Sequence, residues 1–156
     1  MNTYSELLRY LRFLGEEDAF VNTITQGDFN DVDVDKKNIF PLLHISIGNA
    51  SFPSHSVIRY DVQIGCFDIR DVNKEITTDK FTKQDNEIDN LNETLATINR
   101  LWLKMSKDFE DNNITASDAP SCEIHTFVRM NTLDGWILTF QVDVPNTMLS
   151  LCVEEE

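Results

Sequence analysis

Three cysteines, three histidines and an excess of carboxylates are the groups in this 156-residue chain that could do chemistry. Cys66, Cys122 and Cys152 are far apart and form no Cys-x-x-Cys, so they read as reduced, packed thiols. A nucleophilic Cys–His pair could come only from Cys122 with His125 or Cys66 with His44. Neither pair carries a local motif, and His55 stands apart. Asp31-Val32-Asp33-Val34-Asp35 imitates the start of an EF-hand loop. The imitation fails at Lys36, where the loop needs its turn glycine, and at Leu42, where it needs a bidentate Glu. The chain has no Gly-x-Ser-x-Gly, Walker loop, Gly-x-Gly-x-x-Gly or His-Glu-x-x-His, and only five glycines to build phosphate-cradling loops. These residues lead us to expect no enzyme, no cofactor and no metal.

Charge sharpens that expectation. The chain has 27 Asp+Glu against 13 Lys+Arg, for a net charge of −14. Soluble small domains commonly carry roughly 2–8 charges. Free nucleic acid and anionic lipid would be repelled, and the dispersed basic residues make no nucleic-acid patch. A hydrophobic share of 41% is that of a folded chain rather than an acidic disordered tail. No apolar run approaches the roughly 18 residues of a membrane span, and MNTYSELLRYLRFLGEEDAF lacks the apolar core of a signal peptide. The expectation is an acidic binding or assembly module with no membrane partner.

The elements that would position these groups follow from periodicity. Thr3 to Leu14 reads as a helix, with Thr3 and Glu6 as a capping box and Gly15 as the stop. Leu7, Leu8, Leu11 and Leu14 recur at helical spacing, with Tyr4 and Tyr10 adding apolar surface. Glu16, Glu17 and Asp18 then meet the negative end of the helix dipole, so packing or a partner must hold this end. Phe20 to Thr25 reads as a strand. Asp28 to Lys37 reads as a polar loop bearing Asp28, Asp31, Asp33 and Asp35, with Asp18 assigned to the same surface. Ile39 to Ile47 is a second strand with Ile39, Leu43, Ile45 and Ile47 on one face, starting after Pro41 or lying at a sheet edge. Gly48 to His55 reads as a turn region. Ser56 to Asp68 alternates most clearly, with Ile58, Tyr60, Val62, Ile64 and Cys66 opposite Arg59, Asp61 and Gln63. The two strands make a hairpin with one wet face.

A polar connector runs from Asp71 to Gln84. Ile88, Leu91, Leu95, Ile98, Trp102, Met105 and Phe109 then recur three and four residues apart, an apolar stripe that would pack on a sheet. Cys122 to Met130 and Trp136 to Val144 are closing strands, joined by a turn at Leu133-Asp134-Gly135. The expected class is α+β: one mixed or antiparallel sheet of about five strands, with two helices packed on one face. Residues 1–147 form a single domain and 148–156 a short acidic tail.

Four stretches stand out within this order of elements: Phe20-Val21-Asn22-Thr23-Ile24-Thr25-Gln26-Gly27-Asp28, Asn38-Ile39-Phe40-Pro41-Leu42, Asn86-Glu87-Ile88-Asp89 through Asn99-Arg100-Leu101, and Gly135-Trp136 through Val144-Pro145-Asn146. With them the order of elements resembles the tail-terminator (tail-completion, head–tail joining) proteins of tailed bacteriophages. The resemblance implies a structural virion protein of the tail and neck, assembled in the host cytoplasm as a ring, commonly a hexamer. Its partners would be neck, tail-tube or sheath proteins, with DNA only as a transiting genome. Asp28, Asp31, Asp33 and Asp35, with Glu154, Glu155 and Glu156, are the expected interaction residues, facing a lumen or a partner. The alternative is an acidic inhibitor or DNA mimic that occupies a host enzyme's nucleic-acid site. Against it, Glu87, Asp89, Glu93, Asp108 and Glu110 of the long helix are mixed with Arg100, Lys104 and Lys107.

Overall fold

Alternating apolar residues build the centre of the sheet. The computed structural model describes residues 4–29, 32, 39–71, 86–117, 119–128 and 132–146. In chain order the elements are α1 (Tyr4–Glu17), β1 (Thr23–Gln26), β2 (Leu42–Ser54), β3 (Val57–Ile69), α2 (Glu87–Asp111), β4 (Thr115–Ala116), β5 (Ser121–Val128) and β6 (Thr132–Pro145). The class is α+β with a mixed sheet ordered β1-β2-β3-β6, and β4 and β5 both pair with β6 on its far side. Among the described residues only β1–β2 is parallel. The β3–β6 ladder sets Ile58, Tyr60, Val62, Ile64 and Cys66 opposite Val144, Val142, Phe140, Leu138 and Trp136. Leu43 and Ile45 of β2 join the same face opposite Cys66 and Ile64. Leu7, Leu11 and Leu14 of α1 and Ile98, Leu101, Met105 and Phe109 of α2 enter the same core cluster.

Several boundaries differ from the sequence reading, each for a physical reason. Gly15 does not stop α1; it is buried inside the helix, where an added Cβ would lie 2.7 Å from Leu43 Cδ2 and 2.9 Å from Ile24 Cδ1. Its missing side chain lets α1 sit closely on the β1–β2 pair. The acidic end of α1 is compensated from α2: Arg100 binds Asp18 through Nε at 2.9 Å and Nη2 at 3.0 Å, and Lys104 binds Glu17. Asp18 therefore belongs to this helix–helix clamp and not to a loop surface. Burial raises its carboxyl pKa, but Arg100 and the Phe20 and Val21 N–H groups outweigh that and hold it below the usual range.

The strand predicted at Phe20 starts at Thr23 and ends where Gly27 takes φ +121°. β2 starts after Pro41 and leaves Ile39 exposed. It then runs on through the predicted turn region to Ser54, because two register shifts against β3 absorb Gly48-Asn49 and Phe52-Pro53. The predicted turn at Leu133-Asp134-Gly135 is strand, paired to Ile69, Asp68 and Phe67 of β3. β5 reaches back to pair Val128 with Thr132, so the connection is residues 129–131, which lie outside the described set. Gly135 is a packing glycine, since a Cβ there would lie 1.9 Å from the Cys66 carbonyl oxygen.

The second face of the hairpin is wet only in part. Phe29, Val32 and Phe40 cover Leu42, Phe67, Leu133 and Ile137 in a smaller second core. His44 fastens this cover to the sheet. Its Nδ1 accepts from the Thr25 hydroxyl at 2.7 Å, and its Nε2 donates to the Gly27 carbonyl at 3.0 Å.

α2 is also turned relative to its predicted stripe. Ile98, Met105 and Phe109 are buried as expected, but Ile88 is 65% exposed and Leu95 38%. Asn90, Thr94 and Thr97 face inward instead. Asn90 Nδ2 donates to the Ile69 carbonyl at 3.0 Å, and the Trp136 indole donates to the Leu91 carbonyl at 2.9 Å. Thr94 and Thr97 satisfy their hydroxyls on the carbonyls of Asn90 and Glu93, one turn back. Small, internally satisfied side chains let the first half of α2 approach the sheet closely, so bulkier Ile88 and Leu95 turn outward.

Candidate functional site

Asp28 is exposed, just past the glycine that ends β1. Asp31, Asp33, Asp35, Glu154, Glu155 and Glu156 lie outside the described residues, as do Cys152 and the Thr3 half of the capping box.

The two Cys–His pairs considered for nucleophilic chemistry are not assembled. Side chains alternate along a strand. Cys66 pairs with Leu43 and faces the main core, whereas the neighbouring His44 pairs with Gly65 and faces the second core. Likewise Cys122 lies opposite Leu138 and His125 opposite Gly135, which are on different faces of β6. Burial, with the nearby charges of Asp18 and Asp68, pushes the Cys66 thiol up to about 12. Burial also raises Cys122. These are poor nucleophiles. Among the described residues no group of three or more His, Cys, Asp or Glu is placed to hold a metal ion.

One polar cluster is deeply built. Arg70 grips Asp134, with Nε to Oδ2 at 2.9 Å and Nη2 to Oδ1 at 2.5 Å, while Asp134 itself is fully buried. Arg70 Nη2 also lies 3.2 Å from Glu87 Oε1, and Thr126 donates to Asp134 Oδ1 at 3.3 Å. The cluster ties the end of β3 to the start of α2 and to β5 and β6. Beside it, burial first, and then the charges of Asp71 and Asp134, raise the Asp68 carboxyl above its ordinary value. A bidentate guanidinium–carboxylate pair tied to four elements is a joint rather than a reactive site.

The remaining surface of the sheet divides in two. One part is a shallow trough of about 550 Å³ on the wet face, lined by Asn49, Asp61, Gln63, Ser117, Thr139 and Gln141. Its polar groups are mostly spent on one another: Gln141 Nε2 donates to Asp61 Oδ1 at 2.8 Å, and Gln63 to Thr139 at 3.4 Å. The other part is the end of the β2–β3 hairpin. Every residue from Gly48 to Ser56 is exposed, and Phe52 is 70% exposed. From Ser46 to Ile58 there is no Asp, Glu, Lys or Arg. Because β1 pairs only with Leu42 to Ile45, the outer edge of β2 from Ser46 to Ser54 has no strand partner among the described residues.

Reasoning from the sequence assigned this arm to a turn and missed it. The available signal was the uncharged run itself, unusual in a chain with 26% charged residues. No protein-family model matches the chain, and a comparison with curated proteins finds no match.

Proposed function

We propose that this chain is a structural virion protein that forms a ring at the head–tail junction of a tailed bacteriophage, joining tail tube to neck and letting DNA pass. The observation that carries the reading is the uncharged arm Gly48–Ser56, with Phe52 held in solvent at its end. An exposed aromatic on a strand with an open outer edge is unfavourable for an isolated subunit and suits one that is covered on assembly. The resemblance of the element order, as read from the sequence, to that of tail-terminator proteins supports the same role. A closed ring joins one patch to a different patch on the next copy. The net charge of −14 suits a conduit, because an acidic bore repels the passing duplex where a basic one would retain it. The neighbours in this reading are neck, tail-tube or sheath proteins.

Native mass spectrometry and negative-stain imaging of the purified protein, alone and with tail tubes, test the proposal. Closed rings that cap tube ends are expected. A protein that stays at 18.0 kDa even with tubes present would overturn it.

A further inference from the structure

We infer that, in the ring proposed above, the open edge of β2 from Ser46 to Ser54 pairs with the outer edge of β5, Ser121–Val128, on a second copy of this chain. Both edges are free among the described residues, since β5 pairs only with β6 and β2 is covered by β1 only as far as Ile45. They lie at opposite sides of one sheet, so the contact is head-to-tail and can repeat.

Charge selects this occupant. Two subunits of −14 repel over most of their surfaces, and these two edges are where they could meet at least cost. β2 brings no charged residue from Ser46 to Ser54, and β5 brings only Glu123, whose carboxylate lies 3.8 Å from His125 Nε2. Each edge also carries a large apolar side chain in solvent, Phe52 at 70% and Ile124 at 54% exposure. Natural sheets usually guard open edges with lysine or other charge. β2 has only Pro53 and its two register shifts, which limit pairing without preventing it.

Direction and height also fit. β2 and β6 each run antiparallel to β3, and β5 runs antiparallel to β6. Copies related by rotation about an axis to which the strands are tilted, as in a closed sheet, therefore meet with β5 and β2 antiparallel. The ladders set β5 level with Thr132 to Thr139 of β6, and the open part of β2 level with Thr139 to Pro145. That stagger is about 20 Å at roughly 3.3 Å per residue, against about 19 Å for four strands at roughly 4.8 Å. A strand tilt near 45°, at the upper end of that found in closed sheets, brings the two edges to the same height.

The test uses the full chain and two single variants, Phe52→Asp and Ile124→Asp, with Phe13→Asp on exposed α1 as the control. Native mass spectrometry is expected to show rings for the wild type and the control, and 18.0 kDa monomers for each edge variant. Mixing the two edge variants is the sharper arm. The intact β5 of one and the intact β2 of the other leave one good contact, so mixed dimers appear and rings do not. Hydrogen exchange on wild-type rings, compared with wild-type monomers obtained by dilution, is expected to slow at both edges whether or not the variants fold. Rings formed by either edge variant, or no slowing at either edge, would overturn the inference while the ring reading stands. A wild type that stays monomeric would overturn both.

Discussion

Gly15 and Gly135 are both buried, yet substituting them has different consequences. At Gly135 an added methyl would lie 1.9 Å from a backbone oxygen of the neighbouring strand, which has nowhere to go. Gly135→Ala should therefore cost more than about 4 kcal/mol or prevent folding, as read by the urea midpoint. At Gly15 the obstacles are the far ends of Leu43 and Ile24, which can move, and alanine gains about 1 kcal/mol of helix propensity. Gly15→Ala should stay within roughly 1 kcal/mol of wild type; equal losses at the two sites would contradict the argument. Two aspartates give a contrast in sign. Asp18 is held below its ordinary value, so its ionised form stabilises the fold above that value, and the effect is lost as pH falls through the lowered one. Asp68 is raised, so its ionised form destabilises the fold once pH exceeds the raised value. At pH 7 Asp18→Asn should lower the unfolding free energy measured in urea by about 0.5–1 kcal/mol, given how exposed Arg100 is, and Asp68→Asn should raise it. The Asp68 difference should shrink toward pH 4, whereas the Asp18 difference should persist there and fade only below the ordinary carboxyl value, and shifts of the same sign at pH 7 would refute the assignment. None of this was legible in the sequence. A glycine's role as stop, turn or close contact depends on which strand lies beside it, and an aspartate's partner lies 82 residues away in the case of Asp18.

At the scale of elements, the chain gave up most where its period was unmixed. β3 from Ile58 to Ile64 and β6 from Leu138 to Val144 alternate without interruption, and the ladder follows that alternation until Phe67, Leu133 and Ile137 turn to the second core. The reading slipped where a second surface competed. β2 looked one-sided because nothing local announces that Phe29, Val32 and Phe40 cover its other face. α2 looked like a straight heptad stripe because its apolar residues are well spaced, but Asn90, Thr94 and Thr97 won the buried positions over the sheet. Small polar side chains with carbonyls one turn back can be buried at little cost, and periodicity of apolar residues cannot see that. The rotation predicts a reversal of the usual ranking. Thr97→Leu should destabilise by about 1–3 kcal/mol through overpacking against Cys66, even though it adds apolar surface to the stripe. Leu95→Lys should change stability by less than about 0.5 kcal/mol, while Met105→Ala should cost about 2–5 kcal/mol. Urea unfolding of the three variants measures the order. If Leu95→Lys were the costliest, the helix would sit on the sheet as the heptad suggested.

At the scale of the whole molecule, the net charge of −14 sets how assembly should respond to salt. Four of its cations are already spent inside the subunit: Arg59 on Asp143, Arg70 on Asp134, Arg100 on Asp18 and Lys104 on Glu17. The nine cations that remain are far outnumbered by the other carboxylates, so two copies repel on balance. Subunits that meet through uncharged edges gain no attraction from ion pairs and must overcome a long-range repulsion. Screening shortens that repulsion, from a Debye length near 30 Å at 0.01 M salt to about 8 Å at 0.15 M and about 3 Å at 1 M. The contact itself, built from main-chain hydrogen bonds and the Phe52 and Ile124 side chains, is scarcely affected. Ring occupancy measured by light scattering should therefore rise with salt at fixed protein concentration, most steeply below about 0.15 M. The added salt should act mainly on the rate of association, because encounter is where the repulsion is felt. An interface held by ion pairs would give the opposite trend, with rings dissociating as salt is added. That outcome would place the contact on the charged surface, away from the two edges.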